Sequence, residues 1–193
     1  MNIGIYGGSF NPIHYGHLGI SRWVLEHTDL DQLWLMPSPQ NPLKQDSDLA
    51  DANARLEAAR TAVADLITEH PNLVGRLLVS DIEFSLPKPT YTAATLRALS
   101  AQYPDYTFSL LIGADNVACW DRWREHDWIA SHYRILVFPR QGYPLETFQT
   151  SQTTQTSQTS QTLQTPERGF CPLSDAPLFP ISSTSIRAEN SKK

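Results

Sequence analysis

Short apolar runs alternate along the chain with longer stretches whose apolar residues recur at helical spacing. The runs have the length of buried strands, and the longer stretches have the period of amphipathic helices. This order predicts an α/β fold: a Rossmann-like, doubly wound parallel sheet with helices on both faces. Strands are predicted over Asn2–Tyr6, Gln32–Pro37, Arg76–Asp81, Tyr106–Asp115 and Arg134–Arg140, and helices over His14–His27, Asp51–His70 and Tyr91–Tyr103.

Glycine-containing and polar segments follow the predicted strands where the chain leaves each one. Gly7–His17, Pro37–Lys44, Gly113–Asp115 and Pro139–Arg140 all lie at the carboxyl ends of strands. In open parallel sheets, ligands bind in the crevice beyond those ends. We therefore expect the functional site at this edge of the sheet.

A three-residue repeat of glutamine, threonine and a small residue runs from about residue 149 to 165. It contains no charge and one apolar residue, Leu163, so it cannot bury a core. We expect a surface loop with little order inside a single domain that spans the chain. A tract for protein interaction or modification is the alternative.

Composition and charge narrow the class of partner. The chain has 193 residues, 18% of them charged, and a formal net charge of −5. This acidic balance argues against a nucleic-acid partner, which requires a broad basic surface. The two cysteines, Cys119 and Cys171, lack the spacing of a zinc site or a disulfide framework. The first residues lack a basic segment before a long apolar stretch, so we expect no secretory leader. No window approaches the ~18 apolar residues of a membrane span, and we therefore expect a cytoplasmic protein.

The segment GGSFNPIHYGHL, from Gly7 to Leu18, follows the first predicted strand. Its glycines allow a ligand close to the backbone, and the helix expected to begin near His14 directs unpaired N–H groups at an anion. His14 and His17, at i and i+3 in the predicted first turn, add two imidazole donors on one face. A phosphate site uses all of these features together. Taken singly, the histidines could be half of a metal site or core residues, and the glycines could serve only a tight turn.

GGSFNPIHYGHL resembles the signature of the nucleotidyltransferases that share the HxGH motif. ISSTSIR, from Ile181 to Arg187, resembles the second motif of the nucleotide adenylyltransferases. Further segments resemble bacterial nicotinate-nucleotide adenylyltransferases, although Leu43 stands where many members have histidine and Thr90 where they have serine. These segments are Pro37–Lys44, Pro89–Leu96, Ile112–Asn116 with Trp123, and Phe138–Pro144.

The resemblance implies adenylyl transfer from ATP to nicotinate mononucleotide, which gives nicotinate adenine dinucleotide and pyrophosphate in NAD biosynthesis. Mg²⁺ would bridge the phosphates of ATP and keep mostly water ligands, so no metal-binding residues are expected. Catalysis would come from positioning and charge stabilisation, because no protein nucleophile is required. The implied catalytic residues are His14, His17 and Arg187, and the implied ATP-binding residues are Gly7, Gly8, Ser9, Phe10, Gly113, Asp115, Ile181, Ser182 and Ser183.

For the second substrate, the resemblance implies Lys44, Tyr91, Thr92, Trp123 and Arg140. Tyr91 and Thr92 open a predicted helix whose N–H groups suit a ring carboxylate, and Trp123 offers a π-face to the pyridine ring. Lys44 and Arg140 would supply local cations to phosphates within an acidic protein. Tyr91 and Thr92 could instead only cap their helix, and Trp123 could be a core residue.

Two features depart from the family pattern. The sequence ends six residues after Arg187, where family members usually continue through further helices, and the repeat precedes the ISSTSIR motif. From the first departure we expect exposed apolar surface or altered assembly. The sequence leaves open whether the protein forms a homo-oligomer. The rival hypothesis is a folded nucleotide-binding protein with poor catalysis, which would bind ATP without releasing pyrophosphate.

Overall fold

The structure is a computed structural model that describes residues 1–40, 42, 51–143, 145 and 168–190. The strands in these ranges are β1 (Asn2–Gly8), β2 (Gln32–Pro37), β3 (Leu77–Val79), β4 (Thr107–Gly113), β5 (Arg134–Phe138) and β6 (Gly169–Pro172). The α-helices are α1 (Tyr15–His27), α2 (Ala52–Glu69), α3 (Thr92–Gln102), α4 (Ala114–Val117), α5 (His126–His132) and α6 (Ser183–Asn190). Short 3₁₀ helices cover Pro71–Leu73, Ile82–Ser85 and Trp120–Arg122.

The strands form one sheet in the order β3-β2-β1-β4-β5-β6, and every neighbouring pair is parallel. Its two faces carry separate apolar cores because successive strand residues point to opposite faces. Ile3 and Ile5 of β1 pack with Leu96 of α3 on one face. Leu35 of β2 packs with Val24 of α1 on the other. The predicted Rossmann-like sheet with helices on both faces is confirmed.

The order of the strands places a crevice at the middle of the sheet. Successive strands run outward from β1 to β3 on one side and from β4 to β6 on the other, so the direction reverses between β1 and β4. Ligands bind in such folds at this switch point, beyond the carboxyl ends of the strands. Gly8 ends β1 and Gly113 ends β4. The fold therefore brings the first glycine loop and the segment around Gly113 to the same crevice.

Several element boundaries differ from the prediction. Helix α1 begins at Tyr15, because His14 has extended backbone angles (φ −150°, ψ 170°). The prediction that both histidines lie in the first helical turn was therefore wrong for His14, which is the N-cap. Strand β3 is shorter than predicted because it pairs only with Leu33–Leu35 of β2. The short elements α4, α5 and β6 had not been predicted.

Two sequence predictions fall outside the described residues: the Gln/Thr repeat at about 149–165, and Lys44. Within the described ranges, no helix is both long and apolar enough to cross a membrane.

Candidate active site

The loop after β1 holds a bulky aromatic residue in an unusual backbone conformation. Phe10 has a φ of 43°, in the left-handed region, yet its side chain is only 2% exposed. Its ring packs edge-on against Tyr6 at 5.5 Å and against His17 at 4.9 Å, measured between centroids. Such strain persists only where the surroundings fix it, and it clusters at ligand sites. The packing of Phe10 therefore sets the course of the glycine loop.

His14 and His17 lie in direct contact, although only His17 is in the helix. Their rings stack with centroids 3.7 Å apart. The backbone N–H of His14 donates to Nδ1 of His17 at 3.2 Å. Nδ1 of His17 must therefore be unprotonated, so a neutral ring carries its proton on Nε2. The local backbone thus makes the distal nitrogen of His17 a hydrogen-bond donor.

His14 is buried behind this stack. Burial lowers the pKa of His14 to about 4, and the nearby positive charge of Arg140 acts in the same direction. Within the described residues neither of its ring nitrogens has a hydrogen-bond partner. A neutral, polar ring without partners in a buried place is typical of a group that is satisfied by a ligand or by water.

The segment before α6 packs closely on the first helix. Gly16 faces Ile181, because a Cβ at Gly16 would lie 2.8 Å from the Cγ2 atom of Ile181. Gly19, one turn further along the same face, is covered by the ring of Phe179 in the same way. Two glycines three residues apart therefore let this segment approach α1.

The start of α6 contacts the loop before α1. The Ser183 hydroxyl donates to the Pro12 carbonyl at 2.9 Å. Arg187 donates from Nη1 to the carbonyl of Asn11. These contacts join the two sequence motifs, which lie at opposite ends of the chain. Arg187 is in the second turn of α6.

Asp115 and Arg140 form an ion pair beside the end of β4. The Nε atom of Arg140 lies 3.5 Å from Oδ1 of Asp115. Nη1 of Arg140 also donates to the Ile181 carbonyl at 3.4 Å. A Cβ at Gly113 would press on Asp115 and lie 2.9 Å from Cγ of Arg140, so glycine leaves room for this pair. Arg140 therefore contacts both the β4 segment and the segment before α6.

On the other side of the crevice, a buried carboxylate holds the start of α3. Glu83 accepts hydrogen bonds from the hydroxyls of Thr90 and Thr95, each at 2.9 Å. The Ser38 hydroxyl lies 3.1 Å from that of Thr90. Burial raises the pKa of Glu83, and the hydrogen bonds from Thr95, Thr90 and Ser38 oppose that rise. This cluster fixes the loop that leads into Tyr91, the N-cap of α3.

A buried guanidinium joins the ends of the first two strands. Arg55 of α2 is 3% exposed and donates to the carbonyls of Ser9 at 2.6 Å, Ser38 at 2.7 Å and Pro39 at 3.1 Å. Buried charge is costly unless hydrogen bonds compensate it, and here backbone carbonyls do so. Arg55 thereby holds the glycine loop and the β2 loop together.

Aromatic and basic side chains lie beyond the start of α3. The Trp123 ring packs against Trp120, with centroids 5.1 Å apart, and is only partly buried. Cζ of Arg124 lies 4.9 Å from the centroid of the Tyr91 ring, which is a cation–π contact.

These features surround one cavity of about 600 Å³. That volume suits a ligand of nucleotide size. Its lining includes most of the predicted site residues: Gly7, Gly8, Ser9, Phe10, His17, Tyr91, Thr92, Gly113, Asp115, Trp123, Arg140, Ser182 and Ser183. His14, Ile181 and Arg187 contact the same loops but are not among the lining residues. For the lining residues and for these three alike, direct contact with a substrate stays a prediction.

Sequence reasoning missed Arg55, Glu83 and Arg124. Arg55 could have been noticed, because it lies four residues before Ala59 on the buried stripe of α2, where a charge is unusual. Glu83 belongs to a short 3₁₀ helix without periodicity, and Arg124 is an exposed cation in an irregular segment. Neither position carries a pattern that the sequence alone reveals.

The described residues contain no cluster of three His, Cys, Asp or Glu side chains that could hold a metal ion. Among the described residues, two carboxylates line the cavity: Glu83 accepts hydrogen bonds from threonine hydroxyls, and Asp115 faces Arg140.

The switch-point crevice, the glycine loop and the converging polar groups define an α/β nucleotide-binding protein of the Rossmann-like class. The sequence profile of the cytidylyltransferase-like family matches residues 5–189. The chain belongs to this cytidylyltransferase-like family.

Two bacterial relatives carry the name probable nicotinate-nucleotide adenylyltransferase. One, from Bacteroides fragilis, is 39% identical over 184 residues, which is 95% of this chain and 79% of the relative. The other, from Porphyromonas gingivalis, is 40% identical over 187 residues, which is 97% of this chain and 83% of the relative. The similarity therefore extends across both sequence motifs.

A solved structure shares the fold. Nicotinic acid mononucleotide adenylyltransferase from Plasmodium falciparum, in complex with NaAD, superimposes with a TM-score of 0.72 at 18% identity. The match covers 97% of this chain and 82% of that chain. At this identity the likeness supports the Rossmann-like fold.

Proposed function

We propose that this protein is a nicotinate-nucleotide adenylyltransferase, which transfers the adenylyl group of ATP to nicotinate mononucleotide and releases pyrophosphate. The observation that carries the proposal is the cavity that joins His17 and the glycine loop to Tyr91 and Trp123. One end offers donors for phosphates, and the other offers an aromatic face and a helix start for a ring. The names of the relatives at about 40% identity support the same assignment.

ATP would bind across the crevice between the glycine loop and the start of α6. Gly7 leaves open space at the backbone, and Ser182 and Ser183 place hydroxyls and the first N–H groups of a helix beside the cavity. His17 would donate from Nε2 to a phosphate oxygen, because its Nδ1 already accepts from His14. Arg187, held at the Asn11 carbonyl, would pair with the outer phosphates through its planar fork.

The transfer would be a direct displacement. A phosphate oxygen of nicotinate mononucleotide forms a bond to the α-phosphorus of ATP, and the bond from that phosphorus to the bridging oxygen breaks, so pyrophosphate leaves. The protein contributes orientation and positive charge, and no protein atom is bonded to substrate. Mg²⁺ would arrive with ATP as part of the substrate, held by phosphate oxygens and water.

Nicotinate mononucleotide would occupy the end of the cavity near α3. Its ring would lie on Trp123, and its carboxylate would face the first N–H groups of α3 at Tyr91 and Thr92. Arg140 would meet its phosphate, and so would Lys44, which lies outside the described residues.

Pyrophosphate release tests the proposal. Wild-type protein, ATP and Mg²⁺ are combined separately with nicotinate mononucleotide, nicotinamide mononucleotide and phosphopantetheine. We expect turnover with nicotinate mononucleotide, and a loss of roughly 100-fold or more in kcat for His17→Ala. His27→Ala, a histidine at the far end of the same helix, is the matched control and should keep wild-type activity.

The three acceptors separate the alternatives. Turnover with phosphopantetheine alone would agree with the family assignment but would contradict nicotinate mononucleotide as the acceptor. ATP binding without turnover of any acceptor would support the rival hypothesis of a nucleotide-binding protein with poor catalysis. Equal loss in the His17 and His27 variants would remove His17 from its proposed role.

A further inference from the structure

The geometry points to Arg124 as the residue that selects an acceptor with a ring carboxylate over one with a neutral ring amide. This inference rests on the proposed function and adds a specificity determinant to it. Arg124 lines the cavity together with Tyr91, Thr92 and Trp123. It had not been predicted as a site residue from the sequence.

The Arg124 guanidinium is held at a defined place. Its Cζ atom lies 4.9 Å from the Tyr91 ring centroid, so the face of the ring attracts the guanidinium through a cation–π contact. Tyr91 is also the N-cap of α3, and its carbonyl accepts from Ala94 and Thr95 at the start of that helix. The guanidinium therefore packs against the N-cap residue of α3. The unpaired N–H groups at the start of that helix also favour binding of an anion.

Nearby carboxylates are engaged elsewhere. Glu125, the next residue in the chain, accepts two hydrogen bonds from Arg97, at 3.1 and 2.6 Å. Glu83 accepts from buried threonines, and Asp115 lies beside Arg140. In the ranges that the structure describes, Arg124 forms no ion pair with a carboxylate. An anionic ring substituent at this end of the cavity would therefore pair with the Arg124 guanidinium.

The two acceptors differ at one group. A carboxylate offers two anionic oxygens to the parallel N–H donors of a guanidinium. An amide offers one neutral oxygen, and its NH₂ group would face the N–H groups of the guanidinium, so that two hydrogen-bond donors would oppose each other. Arg124 thus attracts the acid and disfavours the amide, which is how selective sites discriminate. Because Arg124 is exposed, water and salt weaken this attraction, and we expect a moderate effect.

Arg124→Met removes the charge and keeps an unbranched side chain. We expect kcat/KM for nicotinate mononucleotide to fall roughly tenfold through KM, with KM for ATP and kcat/KM for nicotinamide mononucleotide within about twofold of wild type. Arg124→Lys should retain part of the preference, as a point charge without the fork. Arg60→Met is the matched control: it removes the same charge from an exposed arginine of α2 that does not line the cavity.

Equilibrium binding of the two mononucleotides to the full chain, with a non-hydrolysable ATP analogue present, gives a second readout that needs no turnover. A tenfold smaller acid-to-amide affinity ratio in Arg124→Met supports the inference. An unchanged ratio, or equal loss for both acceptors, overturns it and leaves the proposed function standing. Absence of dinucleotide product from wild-type protein overturns the proposed function, and the binding ratio still decides the role of Arg124.

Discussion

His14 and His17 have stacked rings but different surroundings. His17 reaches the cavity, whereas His14 is buried and lies near the positive charge of Arg140. Burial and that charge hold the pKa of His14 at about 4, so the ring is neutral near pH 7. A neutral His14 ring adds no positive charge to the stack, and the backbone N–H of His14 fixes the tautomer of His17.

This burial predicts how stability depends on pH. In the unfolded chain, His14 becomes protonated as the pH falls below 6.5, the usual pKa of histidine. In the folded chain, it becomes protonated only near its lowered pKa of about 4. The contribution of His14 to the free energy of unfolding is therefore complete above pH 6.5 and falls by up to about 3 kcal/mol as the pH drops to 4. Urea unfolding of wild type and His14→Gln at several pH values measures it.

As the pH falls from 6.5 to 4, the free energy of unfolding of wild type should decrease relative to that of His14→Gln. A His14 difference that stays constant from pH 7 to 4 would mean that the ring is as easily protonated in the folded chain as in the unfolded one.

At the residue scale, the sequence revealed the groups that sit in contiguous motifs. Gly7, His17 and Ser183 each lie in a motif that follows a strand or opens a helix, so their place at the crevice follows from chain order. Glu83 and Arg124 act through contacts with residues such as Thr95 and Tyr91, which packing of separate elements creates. No local pattern encodes those contacts.

At the scale of elements, the site depends on how the segment before α6 sits on α1. Gly16 and Gly19 have no side chains, and the side chains of Ile181 and Phe179 occupy the space that this leaves on the helix surface. The segment then presents Ser183 to the loop after β1. Helix α1 therefore carries His17 on one part of its surface and supports the second motif on another.

Gly19→Ala tests this support. Alanine favours a helix by about 1 kcal/mol over glycine, so α1 itself should not weaken. The new methyl group would collide with the Phe179 ring and displace the segment that carries Ser183 and Arg187. We expect the KM for ATP to rise roughly tenfold, a loss typical of one or two displaced hydrogen bonds, while the circular dichroism spectrum stays that of wild type.

A compensating change sharpens that test. Phe179→Leu in the Gly19→Ala background removes much of the ring and should recover part of the ATP affinity, and Phe179→Leu alone is the control. Wild-type ATP kinetics in Gly19→Ala would show that the segment does not need this close approach.

Long periodic elements were predictable, and short ones were not. The pattern of α2 is strong because Leu56, Ala59 and Val63 repeat on one face over several turns. Strand β6 has four partly buried residues at the edge of the sheet, so its sequence shows no apolar run. The start of α1 was misplaced because His14 has an extended backbone that no composition rule signals.

At the scale of the whole molecule, the strand order and the charge distribution serve the same crevice. The reversal between β1 and β4 is typical of the α/β pattern, although the position of β6 required the structure. The chain carries a net charge of −5, yet Arg122, Arg124 and Arg140 line the cavity. Local cations thus allow an acidic protein to bind polyanionic substrates.

The proposed function depends on one step, in which the phosphate of nicotinate mononucleotide attacks the α-phosphorus of ATP directly within this cavity. The step is tested with nicotinate mononucleotide whose phosphate oxygens are labelled with ¹⁸O, followed by mass spectrometry of both products. With direct attack, the dinucleotide retains all of the label and the released pyrophosphate contains none. Label in the pyrophosphate, or products that contain ADP or AMP in place of the dinucleotide, would contradict direct transfer.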